Sequence, residues 1–169
     1  LNRIEAEGLL AGIYIDTKNF SFKTGVRTFE AASFLRRLGA DTVEIKKIFS
    51  NNLENYIAKA EIIKSAKVEN KIAIAVCPEN ITDTVVAAQA ADELLNITGI
   101  QASFVLIKLG EDVAISARSL GDINVQVILE ELGGGGHMTM AGAKIKDATI
   151  DEAIEKIKEA IAKNSREGE

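Results

Sequence analysis

The hydrophobic period of this chain changes once, near Lys67, and that change constrains the fold more than any other feature. Before it, apolar residues recur at helical spacing; after it, short apolar runs alternate with helical stretches. A chain patterned this way predicts an α/β (α+β-like) fold, with a helical first part followed by a compact mixed sheet flanked by helices. The expected division is residues 1–66, residues 67–165 and a frayed tail, 166–169.

In the first part, Ile4, Leu9, Leu10 and Ile13 mark one helix, which Asp16-Thr17-Lys18-Asn19 ends. A second helix is expected over 28–38, with Phe29, Ala32, Phe34 and Leu35 on its apolar face and Gly39 as a left-handed stop. Asp41 and Glu44 have capping-box spacing and open a third helix. A fourth spans 53–66. Past Lys67, the run 71–77 stopped by Pro78 reads as a buried strand. Thr82 is positioned to cap a helix to Asn96. Residues 102–107 and 113–116 read as a hairpin turning at Gly110-Glu111-Asp112. Asp122 is the expected cap of a helix to Leu132. Residues 143–146 alternate like a strand, and Thr149 with Glu152 is a capping box for a last helix to Asn164.

Several function classes are excluded by composition. Among 169 residues, Lys and Arg total 20 against 25 Asp and Glu, a net charge of −5. A general nucleic-acid coat needs a basic surface, so long nucleic acid is not the expected partner. No Trp and 5% aromatics argue against a base-stacking platform. One Cys, Cys77, forbids an internal disulfide, and one His, His137, forbids a site built on several histidines. No apolar run is long enough for a signal peptide or a membrane span. The chain starts without Met, as an excised piece, a tagged chain or a processed one would.

Chemistry concentrates in a few places. Gly133-Gly134-Gly135-Gly136-His137 concentrates four residues that each cost about 1 kcal/mol in ordered backbone relative to Ala. Such a tract is either an anion-binding nest of free N–H groups with a histidine beside it, or a flexible helix cap and linker. It follows a helix and lacks Gly-Lys-Ser/Thr, so it is neither a dinucleotide fingerprint nor a nucleotide-triphosphate loop. Ser116-Ala117-Arg118-Ser119 places an Arg fork between two hydroxyls, which suits a phosphate oxygen or a base edge; an exposed strand-end Arg is the plain alternative. Asp16 ends a helix, where its charge opposes the dipole. It is either a solvated turn residue or one ligand of a cation. Cys77 reads as a buried strand residue, and Lys144 and Lys146 as strand-face charges.

Taken together, Ile115-Ser116-Ala117-Arg118-Ser119, Ile123-Asn124-Val125 and Gly133 to His137 resemble the DHH-associated domain of DHH phosphoesterases, in its order and spacing. Upstream, Gly12-Ile13-Tyr14-Ile15-Asp16-Thr17-Lys18-Asn19-Phe20 resembles the last motif of the catalytic DHH domain. Thr24 to Phe29, Gly39-Ala40-Asp41, Ala91-Asp92-Glu93-Leu94-Leu95 and Ala102 to Val105 are similar to one branch, the membrane-anchored cyclic-di-AMP phosphodiesterases. The resemblance implies that residues 1–66 are the end of the DHH domain with linker helices, and 67–165 the substrate-binding associated domain. It implies Asp16 as a metal ligand, and Ser116, Arg118, Ser119, Gly133, Gly134, Gly135, Gly136 and His137 as the substrate surface. The implied cofactor is a Mn2+ pair, and the implied reaction is opening of cyclic di-AMP to pApA. The Asp-His-His motif and the early Asp-x-Asp motif are absent from this chain. It is therefore expected to be a C-terminal fragment, inactive alone, itself soluble and cytoplasmic, in a membrane-anchored homodimeric parent. Alternatives within the family are an oligoribonuclease with 3′-phosphoadenosine 5′-phosphate phosphatase activity or an exonuclease. A non-enzymatic nucleic-acid or dimerisation module is the alternative outside catalysis.

Overall fold

The computed structural model describes residues 1–50 and 52–166. The chain divides into two compact units, Leu1–Asn51 and Asn52–Glu169.

The first unit consists, among the described residues, of three helices. α1 is Arg3–Asp16, α2 Val26–Arg37 and α3 Thr42–Ile48. Asn2 accepts from the Glu5 N–H at 2.9 Å, and Glu5 answers the Asn2 N–H at 2.8 Å, which satisfies orphan donors of α1. Gly39 takes the expected left-handed conformation at φ +97°. Asp41 caps α3 through the Val43 N–H, but Glu44 does not complete a box and instead pairs with Lys47 at 2.8 Å. Ala6, Leu10, Leu35, Ala40 and Ile45 form the core. Ile4, Val26, Phe29 and Ile48 remain more than half exposed.

After α1 the backbone reverses through three successive left-handed residues, Lys18, Asn19 and Phe20, at φ 45°, 58° and 61°. None is glycine, and each costs about 1–2 kcal/mol in that conformation. The buried Thr17 holds the reversal. Its hydroxyl donates to the Ile13 carbonyl at 2.6 Å and accepts from the Phe20 N–H at 3.0 Å, while its carbonyl receives the N–H groups of Ser21 and Phe22.

The second unit comprises α4 (Leu53–Lys64), β1 (Lys67–Glu69), β2 (Ile72–Val76), α5 (Thr84–Leu94), β3 (Ala102–Leu109), β4 (Asp112–Ser119), α6 (Val125–Glu130), β5 (Gly135–His137), β6 (Met140–Ile145) and α7 (Ile150–Arg166). The mixed sheet runs β1-β2-β3-β4-β6-β5. Only β2 and β3 are parallel, and α5 supplies the crossover that a parallel pair requires. This is the mixed-sheet α/β architecture that the period change implies.

Helix α4, on the helical side of that change, nevertheless clusters with the second unit. Its Ile62 is fully buried against Ala87, Ala90 and Leu94 of α5. The change of period and the division of the chain therefore fall at different places. Two caps also differ from expectation: Asp83, not Thr82, caps α5, and Asn124, not Asp122, caps α6. Of the expected tail, Arg166 is the last residue of α7; Glu167, Gly168 and Glu169 lie outside the described residues.

The sheet separates two apolar layers. On one face α6 and α7 cover Phe104, Leu106, Ile115, Ala117, Ala141 and Ala143. On the other, α4 and α5 cover Ala73, Ala75, Val105 and Ile107. The central β3 is thus buried on both sides over Ala102–Ile107, as its continuous apolar run requires. Strand β6 alternates exposed and buried, so one of its faces has no cover.

Candidate functional site

That uncovered face carries most of the expected site. Register places Val105, Ser116, Gly142 and Gly135 in one cross-strand row, and Ser103, Arg118, Met140 and His137 in the next. Directly opposed residues share a face. Both rows start beneath α5, at Ser103 and Val105, and run out onto exposed sheet, where Met140 is 45% exposed and Gly142 and His137 are also exposed. β4, β6 and β5 together make a floor about 10 Å wide. At its middle, Gly142 and Gly135 present bare backbone, and nothing lies within 4 Å of where a Gly135 Cβ would be.

Arg118 is the buried charge of this floor, at 9% exposure. Its Nη1 donates to the Ala117 carbonyl at 2.9 Å, and its Nε lies 3.3 Å from Asp92 Oδ1 on α5. That Nε–H has no aligned hydrogen-bond acceptor, so the Asp92 contact is an ion pair without a hydrogen bond. Lys144 bounds the face one row beyond Ser116, opposite Ala114, and pairs with Asp112 at 2.8 Å. This lysine holds the Asp112 carboxyl below the usual carboxylate range, with the Asp147 N–H assisting.

The glycine tract is built differently from a loose nest. Gly133, at φ +77°, sits in a Schellman turn after α6: its N–H bonds the Glu130 carbonyl, and the Gly134 N–H bonds that of Leu129. A Cβ on Gly134 would lie 2.3 Å from the Gly142 carbonyl oxygen, and one on Gly136 2.3 Å from that of Met140. Those two glycines let β5 press against the β6 backbone. Gly135 and His137 are the members of the tract that share a face with Ser116 and Arg118.

Ser119 is not on that face. Register puts it with Ala102 on the α6–α7 side, where it is 2% exposed, and its hydroxyl accepts from the Gly121 N–H at 2.9 Å. Asp16 lies in the other unit, exposed at the end of α1. Among the described residues, no group of three or more His, Cys, Asp or Glu side chains comes together to hold a metal ion. A single carboxylate does not make such a site. Burial pushes the Cys77 thiol up to about 12, which removes it as a nucleophile at neutral pH.

Asp92 and Ser103 fall in stretches that carry the family resemblance but are not among the expected site residues, and Met140 and Gly142 fall in none of those motifs. The alternation of Met140 to Ile145 is the signal that points to β6. A further cavity of this unit, about 460 Å³ between α7 and the β1–β2 edge, is lined by Ile72, Ile74, Ile154 and Ile161 together with Lys67 and Lys158.

Fold and face together define an α/β domain with one half of its sheet exposed and a buried arginine on that face. The chain belongs to the DHHA1 domain family, whose model matches residues 69–163. It is 52% identical over 164 residues to the cyclic-di-AMP phosphodiesterase GdpP of Geobacillus thermodenitrificans, and 48% identical over 166 residues to that of Bacillus subtilis. Each alignment covers 95% of this chain and 25% of the relative, so the chain spans a quarter of the length of these relatives. A crystal structure of an exopolyphosphatase-related protein from Bacteroides fragilis matches with a TM-score of 0.86, over 96% of this chain and 51% of that one. At 21% identity this match bears on the fold alone.

Proposed function

We propose that this chain is the substrate-gripping part of a phosphodiesterase that opens cyclic di-AMP to pApA. The observation that carries the reading is the convergence of Arg118, Ser116, His137 and the bare Gly135–Gly142 backbone on one open sheet face. The near-half identity to relatives named as cyclic-di-AMP phosphodiesterases supplies the ligand class. A planar guanidinium is suited to a phosphate oxygen, a hydroxyl and an imidazole add further hydrogen-bond contacts, and side-chain-free backbone admits a flat base. This chain's own residues bind and orient the dinucleotide. A Mn2+ pair, to which Asp16 would add one ligand and residues outside this chain the others, would supply water activation. The parent works as a membrane-anchored homodimer with this region in the cytoplasm.

The test is calorimetric titration of the chain with cyclic di-AMP and with pApA in the presence of Mn2+, followed by chromatography of the same samples. The expected outcome is binding without turnover. Arg118→Ala and His137→Ala should each weaken binding, by about tenfold or more for a charge-assisted contact. Turnover by the chain alone would overturn the division of labour. Strong self-association with no nucleotide binding would favour an interaction module instead.

A further inference from the structure

We propose that Asp92 is a positioning residue for Arg118: it sets the guanidinium in its receiving orientation before the ligand arrives. The inference rests on the nucleotide-binding reading above and adds a residue to it.

A guanidinium hidden to this degree needs a counter-charge. The Asp92 carboxylate supplies it from a different element, 26 positions away in the chain, at 3.3 Å from Nε. The place of Asp92 is itself fixed. Ser103, directly opposite Arg118 in the sheet, is fully buried and donates its hydroxyl to the Ala91 carbonyl at 2.7 Å. That bond pins the last turn of α5 to the row from which Arg118 rises. The guanidinium is thereby fixed at two points, by the carboxylate at Nε and by its own strand's Ala117 carbonyl at Nη1.

A pre-set fork binds more tightly than one that must be ordered on contact, because the ordering entropy has been lost during folding. The Nε–Asp92 contact lacks hydrogen-bond alignment, so its contribution is charge and placement. The alternative role, in which the carboxylate merely competes with the phosphate for the guanidinium, predicts the opposite sign when the charge is removed.

The experiment is calorimetric titration of the chain with pApA for the wild type, Asp92→Asn, Arg118→Ala and the double variant, with thermal melts of each. Asp92→Asn is expected to weaken binding about tenfold, the loss of a pre-set fork. The double variant should bind within about twofold of Arg118→Ala, because both substitutions remove one device. Asp92→Glu, which keeps the charge but displaces it, should retain most of the affinity and the native melt. If Asp92→Asn does not fold, Asp92→Ser with Arg118→Ala carries the cycle, and the same coupling is expected. Unchanged or tighter binding by Asp92→Asn, or additive losses in the double variant, would overturn the positioning role while leaving the Arg118 site intact. Wild-type silence, or an Arg118→Ala variant that binds like the wild type, would instead overturn the nucleotide-binding reading, and this role with it.

Discussion

Adjacent glycines of the tract differ sharply in what they tolerate. Gly134→Ala drives a methyl into the β6 backbone and should destabilise the second unit by about 2–3 kcal/mol, as overpacking does. Gly135→Ala meets nothing within 4 Å and needs no left-handed backbone, so its melt should stay within about 0.5 kcal/mol of the wild type. Because Gly135 faces the open floor, that same variant should lose pApA affinity while keeping its fold. Paired urea titration and calorimetry separate the two effects. Cys77 gives a second residue-scale outcome. Its thiol is raised from 9.0 to about 12 in the folded chain, so the folded state holds a proton that the unfolded state releases. Stability is fully present below pH 9 and falls as pH rises from 9 toward 12. Cys77→Ala should flatten that part of the urea-midpoint profile, and native Cys77 should resist alkylation at pH 8.

Helix α7 shows what local rules deliver at the scale of an element. The Glu152 carboxylate accepts from the Thr149 N–H at 2.7 Å, and the Glu152 N–H donates to the Thr149 hydroxyl at 3.2 Å. The Thr149 N–H, and the Thr149 hydroxyl donating to the same carboxylate oxygen at 3.0 Å, hold the Glu152 carboxyl below the usual carboxylate range. Its contribution is present above the unfolded pKa and is lost as pH falls through the folded one. Thr149→Ala should lower stability by about 1 kcal/mol and weaken this acid sensitivity, read by thermal melts between pH 3 and 7. The box was legible because its partners stand three residues apart. The β3–β4 hairpin was legible for a similar reason, its two apolar runs flanking Gly110 at φ +63°. β1 and β5 were not. All three residues of β1 are exposed, and β5 is two glycines and a histidine, so neither has an apolar period to read. The caps moved from Thr82 to Asp83 and from Asp122 to Asn124 because candidate side chains lie close together there, and the first helical N–H groups choose between them.

At the scale of the molecule, sheet, crossover and both apolar layers lie within residues 52–166. A protease cut between α3 and α4 should leave 52–166 cooperatively folded, with its strand signal intact by circular dichroism; loss of that signal would show that the first unit supports the second. The polar members of the candidate face were legible as residues, since Ser116, Arg118 and His137 belong to short motifs. Its geometry was not, because rows across β3, β4, β6 and β5 join residues distant in sequence. Ser119 shows the limit most plainly: one step along a strand reverses the face, and a motif read as a block hides that reversal. The backbone contact between β5 and β6 has an evolutionary consequence. Selection for folding alone would keep Gly134 and Gly136 unchanged in a descendant that had lost its ligand. Drift at Gly135 and His137, which carry no such packing duty in the strand pair, is where a change of substrate would first be written.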